Sequence, residues 1–92
     1  MQRYCRNRLV GFAVTLNQRT DTGWQHVVRI DTAHGEVHMH RYLRNGDEER
    51  TVFEVITPDR AGKIMERWYS RAAVMMEYEW RGYLKEWTDE VD

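Results

Sequence analysis

Residues 24–43, "WQHVVRIDTAHGEVHMHRYL", hold two alternating runs around a short break, and their reading decides the fold. In "WQHVVRI" (24–30), Trp24, His26, Val28 and Ile30 alternate with Gln25, Val27 and Arg29. In "EVHMHRYL" (36–43), Val37, Met39 and Leu43 alternate with Glu36, His38, His40 and Tyr42. Successive strand side chains point to opposite faces, so both runs read as half-buried strands. Thr32-Ala33-His34-Gly35 between them carries turn chemistry. A four-residue loop there sets Asp31 opposite Glu36, Arg29 opposite His38, Val27 opposite His40 and Gln25 opposite Tyr42. One face of this hairpin is apolar, with Val28, Ile30, Val37 and Met39. The other collects Arg29, Asp31, Glu36, His38, His40 and Tyr42, with His34 at its rim. His26 falls on the apolar side, near Arg41, and reads as structural.

Working outward, "LVGFAVTL" (9–16) and "RTVFEVI" (50–56) add two more strands. Asp21-Thr22-Gly23 and Asn45-Gly46-Asp47 supply the turns, and Asn-Gly is a strong hairpin signal. Thr57-Pro58-Asp59 then starts a helix: a hydroxyl cap, a proline at the first position and an acid in the first turn. Ala61, Ile64, Met65, Trp68, Ala72, Met75 and Met76 recur at three-and-four spacing, the stripe of a helix that covers a sheet. The expected fold class is α+β. It is a four-stranded antiparallel meander with one long C-terminal helix packed on one face, in a single domain over residues 1–92.

The helical pattern runs from about residue 59 to about residue 90, roughly 45–50 Å. A seven-residue strand covers only ~23 Å. Either Gly82 breaks the helix, or its last turns project and bury Trp80, Tyr83, Leu84 and Trp87 against another chain. The second option predicts a homodimer. Glu79 shares the line of Ala61, Trp68, Ala72 and Met76, and an acid there suggests that the helix has left the sheet.

Bulk properties narrow the class. With 41% hydrophobic and 32% charged residues the chain is globular rather than disordered. Cys5 is alone, so no internal disulfide forms and a reducing compartment is expected. No apolar run reaches the ~18 residues of a membrane span, and "MQRYCRNR" (1–8) lacks the apolar stretch of a signal peptide. A cytoplasmic protein without membrane association is expected. Residues 1–44 carry seven Arg against Asp21, Asp31 and Glu36, so residues 45–92 must hold a balance of −5 to give the net −1. A basic first half and an acidic second half suggest an anionic ligand for one face or head-to-tail self-association. Arginine without lysine fits a phosphate or acidic partner, since arginine forks onto such groups, and fits GC-rich coding equally well.

Three chemistries compete for the polar face. Asp31, His34, His38 and His40 are competent metal ligands, and a His-x-His pair projects from one strand face. No His-Glu-x-x-His signature or cysteine set accompanies them, so neither a metal nor another cofactor is called for. RNA cleavage by 2′-hydroxyl attack needs a base, an acid and a cation for the phosphate. The imidazoles of His34, His38 and His40 with Asp31 fit the proton roles, Arg29 or Arg41 the charge, and Tyr42 a base-stacking platform. A solvated polar face with no chemistry is the third. A non-catalytic interaction module (an inhibitor, an antitoxin-like partner or an assembly subunit) competes with the RNA reading, motivated by the aromatic end of the helix.

The stretch "WQHVVRIDTAHGEVHMH" (24–40) resembles a family of short, uncharacterised prokaryotic proteins, through Trp24, Val27, Arg29, Asp31, Thr32, Ala33, His34, Gly35 and His38. That resemblance implies the hairpin-then-long-helix layout and no particular activity. More distantly, the order Arg29, Asp31, His34, His38, His40 looks like the TumE-like toxins of toxin–antitoxin pairs. This second likeness implies an RNA-directed activity, with a cognate protein as partner.

Overall fold

The computed structural model describes residues 2–5 and 8–89, with side chains described for 11–88. The expected meander is present as β2 (Arg8–Thr20), β3 (Gly23–Ala33), β4 (Glu36–Tyr42) and β5 (Glu48–Val55), each antiparallel to the next. A short strand β1 (Gln2–Cys5) pairs onto the outer edge of β2 and extends the sheet to five strands. The Cys5 thiol and the arginine side chains of the N-terminal segment lie outside the described residues. A 3₁₀ turn (Pro58–Arg60) leads into one helix, α1 (Ala61–Asp89). Thr57 is extended, but its hydroxyl does not cap the helix as expected. The opening turn is closed instead by the Arg60 amide donating to the Thr57 carbonyl at 3.1 Å.

The core lies between one sheet face and α1. Phe12, Val28, Ile30, Val37 and Met39 meet Ile64, Ala72 and Trp87, with Leu16, Tyr69, Met76, Tyr83 and Leu84 partly buried around them. Phe12 meets Tyr69 edge-on at 5.6 Å. Burial of this apolar stripe, more than intrinsic propensity, holds a helix of this length in place.

The helix neither breaks at Gly82 nor leaves the sheet. Trp87, expected at a partner interface, is 5% exposed within its own core. Arg44 lies over its ring at 4.7 Å, and Arg41 pairs with Glu86, so the last turns are pinned to β4 and the loop after it. Tyr83 and Leu84 are half-buried on the same core, and Trp80 stays at the surface under Arg81. The mismatch of lengths was an underestimate of the strands. β2 has 13 residues and β3 has 11, and 13 residues of strand cover ~43 Å. A 29-residue helix is ~44 Å long, so the two match. Glu79 faces solvent, where it accepts a hydrogen bond from the Tyr83 hydroxyl at 2.8 Å.

Candidate functional site

The turn between β3 and β4 sets the register of the site. It holds two residues rather than four: His34 at φ 53° and Gly35 at φ 74°, flanked by the Ala33–Glu36 pair. Two successive positive φ angles make the primed hairpin turn whose twist suits the flanking strands. The pairing therefore slips by two from the expected register, to Asp31 opposite His38 and Arg29 opposite His40. A slip of two keeps every side chain on its face, so the polar cluster survives with new partners. His34 is used up by the turn. It is exposed, and no described contact joins it to the other histidines.

A bulge re-aims the other end of the hairpin. Leu16 pairs with Val28 but Asn17 pairs with His26, leaving Val27 as the extra residue on β3. Val27 and Val28 are both buried, and the alternation beyond them is inverted. His26 therefore lies on the helix-free face, not on the core side as expected. Its Nδ1 is 2.7 Å from Asn17 Oδ1 and its ring lies 5.4 Å from Tyr42. Trp24, two residues away, shares that face and is 68% exposed, with Arg19 over its ring at 5.9 Å. A second bulge, at Phe53 of β5, turns both Phe53 and Glu54 toward α1. There Phe53 stacks on Trp68 at 4.9 Å, and Glu54 accepts from the Trp68 indole at 2.7 Å and from Arg67. Those two hydrogen bonds, the indole's foremost, lower the pKa of Glu54.

Two cross-strand rows form the heart of the helix-free face. One runs Ala13, Asp31, His38, Val52 and the next Thr15, Arg29, His40, Arg50. Arg29 Nε donates to Asp31 Oδ2 at 2.8 Å. Asp31 Oδ1 lies 3.1 Å from His40 Nε2 and 3.9 Å from His38 Nδ1. The remaining ring nitrogens are held by carboxylates: His38 Nε2 by Glu36 and His40 Nδ1 by Glu48, both at 2.9 Å. The His38 side chain is 1% exposed, Asp31 11% and His40 15%, so the face is sealed at His38 and opens toward His40. Tyr42 stacks beside His40 at 6.3 Å, and its pKa is raised, first by burial and then by the Glu48 charge.

Of the expected residues, the structure brings together Arg29, Asp31, His38, His40 and Tyr42. It leaves His34 in the turn and puts Arg41 on the helix side, paired with Glu86. Sequence reasoning passed over Glu48, which lies before the predicted start of its strand. It placed Glu36 on the polar face without giving it a role, and the bulge concealed Trp24 and His26. Chemically the cluster offers an oriented imidazole, a clamped carboxylate and a surface arginine.

The chain matches, over residues 3–92, the family described as Domain of unknown function (DUF7718). It belongs to that family. The expected membership of an uncharacterised domain family is thereby met. No curated protein and no solved structure gives a significant match. Among the described residues no helix is long and apolar enough to cross a membrane.

Proposed function

We propose that this protein is a small, toxin-like, RNA-directed protein that holds single-stranded RNA along its helix-free sheet face. One observation carries the reading: the rings of Trp24, His26, Tyr42 and His40 follow one another on that face, beside Arg19, Arg29 and Arg50. Bases stack on such rings without sequence preference, while guanidinium groups meet the backbone phosphates. The likeness of the order Arg29, Asp31, His34, His38, His40 to the TumE-like toxins supports the same substrate, with His34 serving the turn rather than the cluster.

Metal-independent cleavage on this face falls to His40, the more accessible imidazole of the pair. Asp31, clamped by Arg29, is the fixed partner that orients the ring through Nε2. Glu48 is 42% exposed and can swing off Nδ1 with its proton, which leaves Nδ1 facing solvent as an oriented base for the 2′-hydroxyl. As the 2′-oxygen bonds to phosphorus, the bond to the 5′-oxygen breaks and that oxygen takes its proton from water. Arg29, 39% exposed, faces the phosphate charge.

Fluorescence anisotropy with a labelled oligouridylate tests the binding. Trp24→Ala and Tyr42→Ala should each weaken it by about 1–3 kcal/mol, the usual loss per stacked base. Arg29→Ala should reduce the salt dependence by about one phosphate contact. Incubation with total RNA tests cleavage, which His40→Ala should abolish. Binding unaffected by all three face variants sinks the proposal.

The rival reading, a non-catalytic interaction module, now rests on a different feature. The aromatic helix end no longer supports it, because Trp87, Tyr83 and Leu84 pack in their own core. An apolar groove of about 540 Å³ between β5 and α1, lined by Phe53, Trp68, Val74 and Met75, favours it instead. Val74→Glu should then disrupt a complex seen by size-exclusion chromatography and leave RNA binding intact.

A further inference from the structure

We infer that Asp31, His38 and His40 form a binding site for a divalent transition-metal ion of the zinc class. The inference departs from the sequence expectation of no metal and stands apart from the RNA reading, so either can fail alone.

Three atoms carry it: Asp31 Oδ1, His38 Nδ1 and His40 Nε2, all within 4.8 Å of one another. Each belongs to a side chain whose other polar atom is already held. Arg29 takes Asp31 Oδ2, Glu36 takes His38 Nε2 and Glu48 takes His40 Nδ1. Metal-bound histidines ordinarily donate their second ring nitrogen to a carboxylate, which fixes the tautomer and makes the ring a better ligand. Both histidines here meet that condition. The His-x-His spacing on one strand projects the two rings to the same side, and the cross-strand pairing of Asp31 with His38 delivers the carboxylate.

The decisive atom is His38 Nδ1. It is buried and has no hydrogen-bond partner among the described residues. Since Glu36 only accepts, Nε2 carries the hydrogen there, and in that tautomer Nδ1 presents a lone pair toward Asp31 Oδ1 at 3.9 Å. Two acceptors then face each other in a nearly sealed site. A buried acceptor without a partner is destabilising, and a cation between the two atoms removes that penalty. Bonds of ~2.0–2.2 Å in a tetrahedral set put ligand atoms roughly 3.4 Å apart. The distances of 3.1 and 3.9 Å lie on either side of that value.

Charge and access fit as well. Three carboxylates, Asp31, Glu36 and Glu48, contact the cluster against the single guanidinium of Arg29, which suits a dication. Two nitrogens and one oxygen favour zinc-class ions over the all-oxygen sets of calcium or magnesium. Three protein ligands with an opening at His40 leave a coordination position for water or a ligand.

The test is titration of the metal-free protein with Zn²⁺ by calorimetry, repeated with Co²⁺ while recording visible absorption. The expected result is saturable binding of one ion per chain, with Co²⁺ giving the intense bands of a low-coordinate site. Asp31→Asn and His40→Gln should each weaken Zn²⁺ binding by more than ~100-fold, and Glu48→Gln by ~10–100-fold. His34→Ala, in the turn, should leave it unchanged. Circular dichroism confirms that each variant is folded, and Glu48→Gln keeps the test open if a ligand variant is not. No saturable binding, or binding that survives Asp31→Asn and His40→Gln in folded protein, overturns the inference.

Discussion

His34 illustrates how a residue can look chemical and be conformational. Its φ of 53° is tolerable for histidine, asparagine or glycine and poor for a β-branched side chain. His34→Val should therefore lower stability by about 1–3 kcal/mol, and His34→Asn should change it little, as read from urea denaturation midpoints. Tyr83 makes a second prediction at this scale. Burial, and then the Glu79 hydrogen bond, push its hydroxyl up to about 12 from an ordinary value of 10.0. The folded state thus holds the phenolic proton more tightly than the unfolded chain does. The stabilisation is complete below pH ~10 and is lost as pH rises toward ~12. Tyr83→Phe should flatten the fall in melting temperature over that window. An unchanged slope would show that the contact does not act on stability.

Among the elements, the strands and the helix differ in how openly the sequence announces them. Every strand of the meander and the helical stripe were legible, because alternation and three-and-four spacing are properties of local sequence. Strand length was not. Asn17, Gln18, Arg19 and Thr20 are polar and show no apolar alternation, yet they continue β2, paired to β3 through Gly23. The bulges were also hidden, since Val27 and Phe53 look like ordinary strand residues until the neighbouring register is known. One unseen bulge moved His26 and Trp24 to the opposite face, while the two-residue slip of the hairpin moved nothing between faces. Parity decides which errors matter. The clustering of Arg29, Asp31, His38 and His40 on one face was therefore legible, whereas the separation of His34 and Arg41 from them was not. Because α1 matches β2 in length, Trp87→Ala should cost about 3–5 kcal/mol of folding stability, measured by chemical denaturation. A loss of oligomer with stability unchanged would restore the projecting-helix picture.

For the whole molecule, the two faces of the sheet differ in what they carry. One is closed by α1 and supplies the core. The other bears the rings, the arginines and the Asp31–His38–His40 cluster, and nothing in the described fold covers it. The two proposals for that face interact at His40. An ion bound there takes the imidazole out of proton transfer, so Zn²⁺ should suppress His40-dependent RNA cleavage and chelation should restore it. RNA held by Trp24 and Tyr42 should stay bound throughout. Gel analysis and anisotropy on the same samples check both halves.

The claim that the helix-free face is the working surface can be read directly by heteronuclear NMR during titration with a short single-stranded RNA. Amide and side-chain shifts should concentrate at Trp24, His26, Arg29, His40 and Tyr42 and leave the Phe53–Trp68–Val74 groove still. Shifts centred on that groove, or none at saturating RNA, would contradict it.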